Sequence, residues 1–148
     1  MKYEQSPIYI FTRRLFIIGL MLVGGLVPSA HAAVVNHDIS KGNLIIAGTS
    51  PDDYVVTGST TRNYVIAHFG YKGTITLRNC SFRFTSSGIY SPIRIEGKDG
   101  LSNSSSLRTN VNLVLDGYNE IYNSGYGRAC IQVDQGAQIN ISAIESCD

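Results

Sequence analysis

Residues 131–142 read IQVDQGAQINIS: apolar and polar residues alternate, the pattern breaks at Gly136, and the alternation resumes. A period of two marks a strand with one buried face, because successive side chains leave a strand on opposite sides. Two short strands parted by a glycine turn make up this unit. It recurs upstream. YVIAHFGYKGTITLRNCSF (64–82) is one copy, and PIRIEG (92–97), followed after a gap by NVNLVLDGYNEI (110–121), is another.

In the first strand of each unit the apolar pairs are Val65/Ala67, Ile93/Ile95 and Ile131/Val133, spaced by 28 and 38 residues. In the second strand they are Ile75/Leu77, Leu113/Leu115 and Ile139/Ile141, spaced by 38 and 26. The long interval belongs to the middle unit, which carries the insertion KDGLSNSSSLRTN (98–110). Without that insertion the period lies in the high twenties, the mark of a solenoid. The apolar spacing excludes helical repeats. Matching columns one whole period apart favour parallel pairing of equivalent strands over the hairpins of an antiparallel sandwich. The expected fold is all-β, a right-handed parallel β-helix whose inward pairs stack ~4.8 Å apart into ladders that no single coil could bury. Gly70, Gly97 and Gly136 would take the corner after the first strand, and Asn79 and Gly117 the next one.

Outside the repeat the chain divides simply. Residues 1–32 carry Arg13 and Arg14, then the apolar run LFIIGLMLVGGLV, then PSAHA. That is the order of a secretory signal peptide, cleaved after Ala32, and the run is shorter than the ~20 residues that span a bilayer. A secreted or cell-surface location follows. Residues 33–42 would form part of an N-terminal cover and 43–148 the coils, the first with strands at Leu44–Ala47 and Tyr54–Thr57. The last coil runs into SAIESCD with no polar cap, so a solenoid truncated at the C-terminus is expected, its end covered by further coils of a longer chain or by another chain.

The formal net charge is +1, and removal of Lys2, Arg13, Arg14 and Glu4 with the leader brings it near −1. Such a balance gives nucleic acid no basic field to follow. The cysteines, Cys80, Cys130 and Cys147, match no zinc or redox spacing and read as small core residues.

GTITLRNCSF (73–82), SPIRIEG (91–97), NVNLVLDGYNEI (110–121) and ACIQVDQGAQINIS (129–142) together resemble coils of a family of secreted bacterial carbohydrate-binding β-helix proteins. That family is akin in fold to polysaccharide lyases and is associated with cellulose and pectin-like polymers. The resemblance spans residues 41–143 and implies a non-catalytic module for extracellular polysaccharide. Bacterial surface adhesins are also similar. None of the family's catalytic or metal-binding residues can be matched here.

In the β-helix register the outward residues Ile66, Arg94 and Gln132 stack in one column and His68, Glu96 and Asp134 in the next, while Arg78 stands over Asp116. Glu96 above Asp134 places two carboxylates one strand spacing apart, a repulsion of ~1–3 kcal/mol that needs an offset. His68, Arg94 or a bound Ca²⁺ with oxygen ligands would supply it. Tyr118, Tyr122 and Tyr126 gather near the second corner of their coil, and a tyrosine face can pack on a sugar ring while its phenol bonds hydroxyls. The candidate ligand-binding residues are therefore Arg94, Glu96, Gln132, Asp134, Tyr122 and Tyr126, with Glu96 and Asp134 as the Ca²⁺ candidates. Nucleophile-elbow, zincin and phosphate-loop motifs are missing from the sequence. Two other functions fit the pattern: an adhesin-like structural surface repeat, and a fragment of a polysaccharide lyase.

Overall fold

A computed structural model describes residues 32–85, 90–98, 108–125 and 128–144. Residues 1–31, most of the insertion, Tyr126 and Cys147 lie outside the described residues. Ten strands follow in order: β1 (Val34–Asp38), β2 (Leu44–Ile46), β3 (Asp53–Thr60), β4 (Val65–Ala67), β5 (Lys72–Phe84), β6 (Ile93–Ile95), β7 (Thr109–Asp116), β8 (Glu120–Asn123), β9 (Ile131–Val133) and β10 (Ala137–Ala143). Among the described residues they form two sheets, and every pairing is parallel. The larger runs β1-β3-β5-β7-β10 with β8 also on β5; the smaller runs β2-β4-β6-β9. From β1 to β7 the chain alternates strictly between them. Among the described residues no helix is long and apolar enough to cross a membrane.

The apolar pairs align as their spacing requires on every strand but β10, where Ile139 and Ile141 stand opposite Val111 and Leu113, two residues short of the expected Leu113 and Leu115. Val65, Ile93 and Ile131 share one column of the smaller sheet, and Ala67, Ile95 and Val133 another. In the larger sheet Ile75, Leu113 and Ile141 are in register, as are Leu77, Leu115 and Ala143. Both sheets feed one core, in which Ile46, Val56, Val65, Ile75, Leu77, Phe82, Ile93, Ile95, Val111 and Leu113 are fully buried. Burial weakens along the same columns toward β9 and β10. Val133 is 39% exposed and Ile141 56%, although the sequence pattern places both inside. Each lies on the last strand of its sheet, with a neighbour on one side alone among the described strands.

Besides this shift in β10, two stretches depart from the sequence reading. Val34–Asp38, expected within a cover, is a strand of the larger sheet, paired in register from Val34↔Asp53 to Asp38↔Thr57. β5 runs on past Leu77 to Phe84, pairing first with β7 and then with β8. Between those blocks Asn79 and Cys80 face Gly117, Tyr118 and Asn119, so the β7–β8 segment carries an extra residue at the corner. Asn79 adopts φ 50° and Gly117 φ 72°. The Tyr118 amide donates to Asn79 Oδ1 (3.0 Å) and the Cys80 amide to Asn119 Oδ1 (2.9 Å), so side-chain amides satisfy the backbone where the ladder breaks. At the other corner Gly97 has a different reason to be glycine from the turn glycines beside it. A Cβ there would lie 1.9 Å from the Gln135 carbonyl oxygen, because the backbone after β9 packs directly on it.

Candidate functional site

The short strands of the smaller sheet end in tight turns, and those turns position the candidate side chains. The amide of Tyr71 donates to the His68 carbonyl (3.1 Å) and that of Ala137 to the Asp134 carbonyl (3.1 Å), closing one turn directly after β4 and one after β9. His68, Glu96 and Asp134 also donate their amides to the carbonyls of Ile46, Ala67 and Ile95 on the neighbouring strands, each at 2.9 Å. The Thr109 hydroxyl, fully buried, donates to the Glu96 carbonyl (2.6 Å) and accepts from the Gly70 amide (2.9 Å). This corner is held by backbone and buried hydroxyl, which leaves the carboxylates free to face outward.

Arg94, Glu96, Gln132 and Asp134 come together there. Arg94 and Gln132 are opposite each other in register, each between residues of the inward columns. The Arg94 guanidinium donates through Nη2 (2.8 Å) and Nε (3.2 Å) to Asp134 Oδ2, and its Nη1 lies 3.8 Å from Glu96 Oε1. Asp134 Oδ1 accepts from Gln132 Nε2 (2.9 Å), and Gln132 Oε1 accepts from the buried Ser91 hydroxyl (3.2 Å). His68 Nδ1 meets Glu96 Oε2 at 2.6 Å. The expected carboxylate repulsion is therefore offset within the chain: Arg94 serves both acids and His68 serves Glu96.

These contacts set the local proton affinities. Partial burial pushes the Asp134 carboxyl up, but its bonds from Arg94 and Gln132 outweigh that and hold it below the ordinary carboxylate range. The bond to Asp134 raises the Arg94 guanidinium above its already high value, so Arg94 is a permanent cation. Glu96 and Asp134 are hard oxygen donors of the type Ca²⁺ prefers. Among the described residues no three His, Cys, Asp or Glu side chains gather as a metal cage, so a calcium ion here would draw further oxygens from water or ligand.

Aromatic and apolar surface lies beside this network. Tyr64 and Tyr90 stack at 4.6 Å between ring centroids, tilted by 35°, and Tyr90 is 37% exposed. Ile45, exposed, is in register with Ile66, and Ile66 with Arg94; Ile66, expected as an outward residue, is itself buried. Sequence reasoning missed Tyr64, Ser91 and Ile45 as parts of this strip. Tyr64 and Ser91 border short strands rather than stand within them, so alternation gave no side for either.

Tyr122 belongs to a different surface. It sits on β8 of the larger sheet, opposite Arg83, and is 46% exposed. A surface depression of about 240 Å³ lies on that sheet, lined by Ser59, Thr60, Thr61, Ser81 and Arg83. Glu120 lies 3.2 Å from both Arg83 Nε and the Ser81 hydroxyl. The candidate residues thus divide between two sheets: the Arg94 network on the smaller, Tyr122 on the larger. On the larger sheet Arg78 Nε also donates to Asp116 Oδ2 at 2.6 Å, the ion pair expected from stacking of the second strands.

Comparison with known proteins returned no matching family model, no matching curated protein and no matching solved structure.

Proposed function

We propose that the chain winds as a right-handed parallel β-helix and acts as a secreted or cell-surface, non-catalytic module that binds extracellular polysaccharide. In favour of the winding are the alternation of strands between two wholly parallel sheets and the equal registers from coil to coil. The observation that carries the binding proposal is the strip on the smaller sheet. There a permanent cation, paired acids and an amide stand beside a stacked tyrosine pair. A linear polymer laid along this face meets donors and acceptors repeating at the strand spacing, with C–H faces for Tyr90 and Tyr64.

The ligand that best fits is an acidic polymer. Its carboxylate would exchange with Asp134 for Arg94, whose planar fork suits carboxylates. A second reading has Ca²⁺ bridging Glu96 and Asp134 to the polymer, at the cost of displacing Arg94 from both. Incubation with a panel of soluble and insoluble glycans, with and without a chelator, separates the two. Direct recognition predicts retention that survives chelation and fails in Arg94→Ala. Retention abolished by chelator and by Glu96→Gln with Asp134→Asn would establish the bridge instead. Retention by no glycan would leave the adhesin-like scaffold as the reading, and unsaturated sugar ends released from the polymer would make it a lyase.

A further inference from the structure

The N-terminal edge of the larger sheet contains a contact that takes on meaning if the leader is removed. The Ala33 amide donates to Asp52 Oδ1 at 3.0 Å, and the Ala33 carbonyl accepts the Asp53 amide at 2.9 Å. Ala33 is therefore tied at both polar backbone groups, immediately before β1. It is also the residue that follows the A-x-A sequence Ala30-His31-Ala32. Asp52 is well fixed for its part. The Tyr71 phenol, itself fully buried, donates to the Asp52 carbonyl at 2.9 Å, and the Ser50 hydroxyl accepts the Asp52 amide at 3.3 Å. Burial, with Asp53, Tyr54 and Asp52 nearby, pushes the Tyr71 phenol far above its usual range, so it stays protonated and remains a donor.

We infer that Asp52 is a receptor for the α-ammonium created at Ala33 by leader cleavage, so that processing itself locks β1 onto β3. This rests on the reading of the chain as secreted. Cleavage adds water across the Ala32–Ala33 amide: Ala32 departs as a carboxylate, and the Ala33 nitrogen gains a proton to become an ammonium. The catalyst is a signal peptidase. A hydrogen bond from a neutral N–H to a carboxylate thereby becomes an ion pair in the same place. The geometry also orders events. A peptidase needs the Ala32–Ala33 bond extended and accessible, whereas docked β1 engages both the N–H and the C=O of Ala33. Cleavage therefore precedes docking.

The exported chain tests this, first by its N-terminal residue and then by a comparison at about pH 6, where an α-amino group is protonated. The protein beginning at Ala33 is compared with the same protein acetylated at that nitrogen, which keeps the N–H donor and loses only the charge. The free ammonium should melt higher by about 1–5 °C, the range of an exposed ion pair in a domain of this size. Asp52→Asn should remove that difference, while Asp116→Asn, which breaks an unrelated ion pair, should leave it intact. An N-terminus at Ala33 with equal melting of both forms, or a difference that Asp52→Asn leaves unchanged, overturns the inference but not secretion. A chain that is not exported, or that is cut elsewhere, overturns both.

Discussion

Leu113 and Ile141 occupy the same inward column of the larger sheet, in register on neighbouring strands, yet one is fully buried and the other 56% exposed. Truncation of each to alanine should therefore give very different costs. At Leu113 the side chain is enclosed between Ile75 and Ile141 within the column, so removal of its methyl groups loses transfer free energy and leaves a cavity. That combination costs about 2.7–5 kcal/mol at well-packed sites. At Ile141 rather less than half of the surface is removed from water. Full burial of such a side chain stabilises by about 1.5–3 kcal/mol, so the part realised here is near 1 kcal/mol, and with one face open no enclosed cavity forms. Urea unfolding of both variants, with m-values compared to confirm that the same surface is exposed, would read the difference directly. Equal costs at the two positions would refute the stacking argument, because burial along one column would then not depend on having a coil on both sides.

Other perturbations probe separate parts of the account. Asp134 has a lowered pKa in the folded state, so its contribution is fully present above the ordinary carboxylate range and is lost as pH falls through the folded value. The stability gap between the native protein and Asp134→Asn should accordingly close on acidification from pH 7 to about pH 2, as followed by thermal melting; a gap that widens on acidification contradicts the sign. Gly97→Ala forces its Cβ against the Gln135 carbonyl and should cost more than about 2 kcal/mol, whereas Gly42→Ala, with open space around it, should cost under about 1 kcal/mol. Cys80 is buried, donates to the Val56 carbonyl, and has its thiol pKa pushed up to about 11 by burial, so it should resist alkylation at pH 8 in the folded protein and react in urea. Labelling of folded Cys80 at the unfolded rate would show that the core opens there.

The sequence was most informative where the backbone is regular. Once Val65/Ala67, Ile93/Ile95 and Ile131/Val133 are aligned, a period of two places Ile66, Arg94 and Gln132 in one column, and alignment of Ile75/Leu77 with Leu113/Leu115 likewise places Arg78 over Asp116. β1 was hidden because VVNHD does not sustain the apolar alternation; His37, in register with buried Val56, occupies an inward position and bonds the Gly42 carbonyl. β8 was hidden by the extra corner residue at Gly117–Asn119, since an irregularity of one residue switches the face of everything beyond it. That switch decides which face of the larger sheet Tyr122 takes, while the pairing of β8 with β5 sets it on a different sheet from the acids it was grouped with. The Tyr64–Tyr90 pair was illegible for a similar reason: both rings flank short strands, and their contact depends on coils stacking in three dimensions. Arg94 between two acids was partly legible. The column placed it beside them, but its contact with both carboxylates depends on side-chain geometry that no spacing encodes.

The central claim is that the smaller sheet's outward face receives an acidic polysaccharide, and backbone and side-chain NMR during titration with an oligogalacturonate tests it most directly. The account predicts saturable shifts at the Arg94 guanidinium, the Gln132 side-chain amide and Tyr90, with Arg78 on the larger sheet unmoved. Shifts confined to Arg83 and Tyr122, or none at any concentration for this and a panel of other acidic oligosaccharides, would contradict it.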